Sequence, residues 1–198
     1  MPVKILRMIL SLPPTMPTHP RDHVFPAAQE NRVLAGFPAV IDSATHTLIL
    51  GSFPGEASLT AQQYYAFKHN QFWRLLSAIM NTDLRSLSYQ EKLRYLLSNG
   101  IGLWDIFQSC QREGSLDSAI RAGQLNDFAR LKKQYPALQR VCFNGKTAAK
   151  IQQYFLAQGY KILVLPSSSP ANATQTFEQK LHIWRDICLD DTNIGEPQ

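Results

Sequence analysis

Four short apolar runs constrain the architecture more than any other feature: Thr47 to Leu50, Ile101 to Trp104, Val141 to Phe143 and Ile162 to Leu165. A strand with one wet face alternates apolar and polar residues, whereas an unbroken run of Ile, Leu and Val marks a strand covered on both faces. Such strands need helices to cover them, and helical patterns are what intervene. Phe72 to Met80 carries apolar residues at helical spacing, and Ser88 with Glu91 forms a capping box for a helix that stops at Gly100. Lys146 to Gln158 continues in the same style and stops at Gly159, and Thr176 with Gln179 caps a last helix through Ile183, Trp184 and Ile187. The order strand, helix, helix, strand, helix, strand, helix, strand, helix predicts an α/β fold. Its form is a three-layer α/β/α sandwich around a mostly parallel four-stranded central sheet.

With 198 residues, the chain has the length of one domain. Six of its prolines fall in the first thirty residues, where helices and central strands would not tolerate them, so residues 1–30 read as an arm. The folded domain then spans 31–189, and the polar segment 190–198 reads as a loose tail. Cys110, Cys142 and Cys188 are odd in number and far apart, so they assemble neither a disulfide framework nor a four-thiolate metal or iron–sulfur cluster. No metal site is expected. No apolar run reaches the roughly 18 residues needed to span a bilayer, which predicts a soluble protein, not secreted and without a membrane partner. A net charge of +5 suits a polyanionic partner but does not demand one.

Ligands of parallel sheets sit beyond the carboxyl ends of the strands, which directs attention to four loops. The first reads Gly51-Ser52-Phe53-Pro54-Gly55. Its glycines let the backbone approach a ligand, although such a turn is equally the tightest exit from a sheet. The third, Phe143-Asn144-Gly145-Lys146-Thr147, fails as a triphosphate-binding loop because position 140 holds Arg140 where that motif needs glycine. Asn144 is left as either a ligand-reading amide or the start of an Asn-Gly turn. The fourth runs from Pro166 through Ser167, Ser168, Ser169, Pro170 and Ala171 to Asn172, a stiff loop of small residues able to donate to phosphate oxygens; a Ser/Pro linker would look similar. Between the first strand and the first long helix, Tyr64, Tyr65, Phe67, Phe72 and Trp73 interleave with Lys68, His69 and Asn70, a mixture that stacks on bases. Phe72 and Trp73 also begin the helix, and Asn70 suits its N-cap.

Five strings occur in a specific order: Gly36-Phe37-Pro38, GSFPG at 51–55, Tyr64-Tyr65 with Asn70-Gln71-Phe72-Trp73, FNGK at 143–146 and LPSSSPAN at 165–172. Together they resemble the DNA-deoxyinosine (hypoxanthine-DNA) glycosylases of the uracil-DNA glycosylase superfamily, over Leu34 to Trp184. The second and last also look like the mismatch-specific uracil and thymine glycosylases. The resemblance implies a uracil-DNA glycosylase-like fold and a monofunctional DNA N-glycosylase of base excision repair, acting without cofactor on DNA that contains a deaminated base. Hypoxanthine is the base implied first, with uracil or a mismatched thymine, or a non-catalytic damaged-DNA binder, as alternatives. A monomer working in the cytoplasm, at the nucleoid, is expected, in line with the odd, scattered cysteines of a reducing compartment. In this resemblance Asn70 is the catalytic asparagine. The family's usual His-Pro is replaced here by Phe67-Lys68, with His69 one residue out of register.

The chemistry asks for an orienter of water, a stabiliser of the departing base and a stacking platform, because glycosidic cleavage passes through an oxocarbenium-like sugar. A neutral Asn70 cannot be a strong base, but its carbonyl oxygen can aim a water at an electrophile this reactive. The first loop holds no carboxylate to add electrostatic stabilisation; adjacent Glu56 reads as a surface residue. Hydrogen bonds to the base are expected from Asn144 and the backbone of Gly51, Ser52 and Phe53, and Phe53, Tyr65 and Phe72 compete as platform. Ser167 to Asn172 would pinch the phosphates of a flipped nucleotide. Lys146 would contact the DNA backbone, with Arg140, Lys150, Lys4, Arg7 and Arg21 adding salt-dependent affinity; the basic residues are expected to gather beside the strand-end loops.

Overall fold

In the computed structural model, which describes residues 32–188, all four apolar runs are strands of one sheet. The arm assigned to 1–30 and the tail assigned to 190–198, with Lys4, Arg7 and Arg21, lie outside the described residues. In chain order the elements are β1 (Val33–Ala35), β2 (Thr47–Gly51), α1 (Glu56–Ala61), α2 (Phe72–Ile79), α3 (Tyr89–Ser98), β3 (Ile101–Asp105) and β4 (Phe107–Gln111). There follow β5 (Arg121–Leu125), α4 (Leu131–Gln134), β6 (Arg140–Asn144), α5 (Gln152–Ala157), β7 (Lys161–Leu165) and α6 (Phe177–Trp184).

The central sheet has the order β3-β2-β6-β7, with all three pairings parallel. Its side chains divide by the strand's two-residue period. Leu48, Leu50, Val141 and Phe143 enter one core with Phe155 and Leu131, while Ile49 and Cys142 enter another with Phe72, Leu76, Leu96 and Trp184. Helices therefore cover both faces, as unbroken apolar strands require. Truncating one of these fully buried leucines to alanine costs about 2–5 kcal/mol. Both expected capping boxes are present, Ser88 with Glu91 on α3 and Thr176 with Gln179 on α6.

Two features depart from the sequence expectation. The helix read over Lys146 to Gln158 is a tight 3-10 turn, Ala148–Ile151, followed by α5. Gly145 leaves β6 at φ +103°, with its N–H held by the carbonyls of Phe143 and Leu165, so the chain must turn back before it can wind regularly. The second departure is an antiparallel three-stranded sheet, β1-β4-β5, joined to the end of β3. Its β4–β5 pairing shifts register twice and β5 is exposed throughout, so no two-residue alternation survives for sequence reading to find.

The strand order sets the ligand crevice. From β2 the sheet grows one way to β3 and the other way to β6 and β7, so the connections diverge between β2 and β6. A crevice opens at such a switch point, beyond the strands' carboxyl ends. The residues there are Gly51 and Asn144.

Candidate active site

A cavity of about 1190 Å³ occupies that crevice. Gly51, Ser52, Phe53, Tyr65, Asn70, Asn144, Lys146 and the whole run from Ser167 to Asn172 line it. Loops far apart in sequence thus converge on one cavity. Phe72 does not line it. Its ring is fully buried and stacks behind Tyr65 at 3.7 Å and 10°, so it serves as the platform's backing and not as its surface.

Tyr65 is held by more than this stack. Its backbone adopts φ +55°, a conformation unusual for a bulky residue, and its hydroxyl accepts from Asn144 Nδ2 at 3.2 Å. Burial first, then the nearby Asp105, raises the phenol's pKa, so the hydroxyl stays protonated. Phe53 is 6% exposed, lies beneath the Arg112 guanidinium at 5.2 Å and is the more enclosed competitor.

Asn144 is a strap between strands. Its other Nδ2 hydrogen goes to Ser168 Oγ at 2.9 Å, while its Oδ1 accepts from Ser168 N–H at 2.8 Å. Ser168 carbonyl in turn accepts from Gln71 N–H at 2.9 Å, tying the serine loop to the start of α2. The loop also packs directly on Gly145, where a Cβ would fall 2.9 Å from Ser167 Cβ. Ser168 is therefore fully buried, and its hydroxyl is committed inward; expecting it to contact phosphate misplaced it. Ser167 and Ser169 are half-buried, and Pro170 and Ala171 are exposed.

Asn70 does two things at once. Its Oδ1 accepts from Phe72 N–H at 3.0 Å, capping the start of α2, and its side chain borders the cavity. His69 does not border it; it is exposed and meets the Phe67 ring edge-on at 5.3 Å, so it does not replace the missing His-Pro histidine.

The β1-β4-β5 appendage buttresses the first loop. Ser52 Oγ donates to Asp117 at 2.6 Å, Glu56 N–H donates to Ser115 Oγ at 3.0 Å, and Arg112 donates to the carbonyl of Pro54. Through this contact Ser115, Leu116 and Asp117 join the cavity wall. Sequence reading missed them because nothing local marks that segment.

It also missed Asp105. Parallel register pairs Gly51 with Asp105, which sets a carboxylate directly beside the first loop that lacks one of its own. Burial, then the charge of Asp117, pushes this carboxyl up to about 8, with Arg112 pulling the other way.

Residues 38–188 match the family model described as the uracil DNA glycosylase superfamily. The chain belongs to the uracil DNA glycosylase superfamily. It is 47% identical over 137 residues to proteins of Methanosarcina acetivorans and Methanosarcina barkeri, each named hypoxanthine DNA glycosylase, covering 69% of this chain and 87% of theirs. A solution NMR structure from Methanosarcina acetivorans, provisionally named as a uracil DNA glycosylase, superposes with a TM-score of 0.71 at 41% identity. The match spans 79% of this chain and 99% of that one.

In this member of the superfamily, the described residues do not show the expected gathering of positive charge beside the loops. Among the described basic residues only Lys146 lines the cavity. Arg140 sits at the opposite, amino end of β6 and donates to the carbonyl of Ile187, so it is a structural residue. Among the described residues no helix is long and apolar enough to cross a membrane.

Proposed function

We propose that this chain is a monofunctional DNA glycosylase that flips a deaminated base, hypoxanthine foremost, into the switch-point cavity and hydrolyses its bond to deoxyribose. The observation that carries the reading is the coincidence of two facts. The chain is 47% identical to proteins named hypoxanthine DNA glycosylase, and four of its five strings line one cavity, with Phe37 of the fifth packed edge-on against the lining residue Tyr64. Tyr65, backed by Phe72 and fixed by Asn144, provides a rigid face for the extruded base. Asn70 aims a water with the second lone pair of Oδ1, the first being used by the cap. Asn144 shapes the base pocket by holding Tyr65 and the serine loop in place. Ser167, Ser169, Pro170, Ala171 and Asn172 face the flanking phosphates, with Lys146 adding charge. The protein acts as a monomer, in the cytoplasm at the nucleoid. Uracil is the second base, favoured by the 41% identity to the structure provisionally named as a uracil DNA glycosylase.

End-labelled duplexes containing deoxyinosine, deoxyuridine or deoxyxanthosine test this directly. Strand scission that appears only after alkali, fastest at deoxyinosine, is expected. Scission without alkali would refute the monofunctional assignment. Retained binding with no abasic site would mark a damage reader instead of an enzyme, and release from free nucleosides alone would remove DNA from the reaction.

A further inference from the structure

Four polar side chains are both buried and part of the cavity wall: Ser58, Asp105, Asn144 and Ser168. Three are engaged, Ser58 Oγ accepting from Ala66 N–H at 3.1 Å and Asn144 and Ser168 satisfying each other. Asp105 differs. It is 4% exposed, and its Oδ2 is buried with no hydrogen-bond partner. A buried polar atom left unpaired costs about 1–3 kcal/mol. In a cavity wall, such an atom marks a place where a ligand supplies the missing partner.

The chain makes room for this carboxyl by omitting a side chain. A Cβ on Gly51 would fall 2.3 Å from Asp105 Oδ1 and 3.1 Å from the Tyr65 hydroxyl oxygen, so three groups meet at one point only because position 51 is glycine. Among the described residues, no ion pair to the carboxyl is seen. Arg112, the basic residue that influences it, donates from Nε and Nη2 to the carbonyls of Gly114 and Pro54, while its Nη1 is buried without a partner. The other titratable groups that face Asp105 are Asp117 on the appendage, Tyr64 and Tyr65 on the aromatic loop and Tyr89 on α3. Burial and Asp117 outweigh Arg112, so the carboxyl is largely un-ionised at neutral pH. In that form it offers an O–H donor as well as a carbonyl acceptor.

We propose that Asp105 is a catalytic residue that touches the extruded base, its carboxyl O–H donating to a ring nitrogen or carbonyl oxygen of the departing base. The assignment rests on the glycosylase reading above. In the reaction the C1′–N bond breaks and its electron pair passes to the base. Water adds to C1′ and gives up one proton, the base takes up one, and the products are free base and a sugar with a 1′-hydroxyl. The hydrogen bond from Asp105 strengthens as negative charge grows on the base, so it stabilises the transition state more than the bound substrate. Asn144 cannot fill this role in the observed arrangement, because both of its amide hydrogens are taken by Tyr65 and Ser168.

Single-turnover release of hypoxanthine from a deoxyinosine duplex, followed from pH 6 to 9.5 with the full chain, Asp105→Asn and Asp105→Ala, tests it. The wild-type rate should fall once the carboxyl ionises. Asp105→Asn keeps a donor at every pH, so it should stay within about tenfold of wild type at pH 7 and lose the alkaline fall. Asp105→Ala should lose about a hundredfold or more, the usual cost of one deleted transition-state donor. An alkaline fall that persists in Asp105→Asn would assign it to the substrate's own ring proton and overturn the proposal. A wild-type rate that rises through pH 8 would overturn it too, by making the carboxylate the active form. So would a folded Asp105→Ala with wild-type rate; if that variant does not fold, the first two profiles decide. Wild type that releases no base from any duplex fails at the earlier step, the glycosylase reading itself.

Discussion

On the β6–β7 side of the cavity, Asn144 uses both amide hydrogens and its carbonyl oxygen on Tyr65 and Ser168, and Ser168 passes the connection on to Gln71. On the β3 side, Asp105 stands beside Gly51 with one oxygen buried and unpaired. Both residues end a central strand and both are nearly inaccessible, at 9% and 4% exposure. The difference separates a wall that sets geometry from a wall that holds unspent hydrogen-bonding capacity. A satisfied cluster rigidifies, whereas an unsatisfied buried group costs stability and persists where function needs it.

The largest effect should come from the unsatisfied side. Asp105 ionises near the ordinary carboxylate value of 3.8 in the unfolded chain and near 8 in the folded one. Between these values the folded state binds more protons, so stability is greatest below pH 4 and falls as pH rises toward 8, by up to about 1.4 kcal/mol per pH unit. Urea unfolding at pH 5 and pH 8 should therefore differ by a few kcal/mol. Asp105→Asn should remove most of that difference and be the more stable protein at pH 8. An unchanged slope in the variant would place the wild-type slope elsewhere and erase the contrast between the walls.

Asn70 borders the same cavity and should show the next largest effect. Asn70→Ala should reduce turnover by about 10²–10³-fold while duplex affinity stays within a few-fold, and it should also destabilise the fold by about 1 kcal/mol through the lost cap. Asn70→Ser separates the roles, since serine caps a helix as well as asparagine does. Recovered stability without recovered turnover is the expected result; recovery of both would make Asn70 purely a cap.

Asn144→Ala should act in the opposite sense to Asp105→Asn. It strands the Ser168 N–H and hydroxyl in a buried site, so a stability loss of about 2–3 kcal/mol is expected at any pH, with slower base release following from a loosened Tyr65. Its preference among hypoxanthine, uracil and xanthine should change less than its melting temperature. A large change in preference at constant stability would make Asn144 a direct reader of the base.

How far these walls were legible in the sequence follows from where their causes lie. Unbroken runs such as Leu48 to Leu50 announce a doubly covered sheet because each residue's surroundings are set by the strand itself. Asn144 and the serine loop were legible as polar residues at strand ends, and Asn70 as a helix-start asparagine, each within a string of the family resemblance. That Ser168 turns inward was not, because its partner on β6 is remote in sequence. Asp105 was invisible for the same reason. Between Trp104 and Ile106 it resembles any strand terminus, and only the pairing with Gly51 and the cover of the appendage make it a buried acid. The appendage itself has an exposed, irregular strand with no period to read.

The smallest predicted effect concerns the cavity rim, where one of the described basic residues, Lys146, stands. Lys146 is exposed at the mouth of the cavity, on the satisfied side, one residue beyond the glycine against which the serine loop packs. If its role is to neutralise one phosphate, Lys146→Ala should lower the slope of log affinity against log salt by about 0.9 and weaken damaged and undamaged duplexes equally. The single-turnover rate at saturating enzyme should then be unchanged, because phosphate neutralisation stabilises the bound duplex and its transition state alike. A rate loss at saturation, or a loss confined to the deoxyinosine duplex, would mean that Lys146 reaches the extruded nucleotide. The satisfied wall would then carry chemistry of its own.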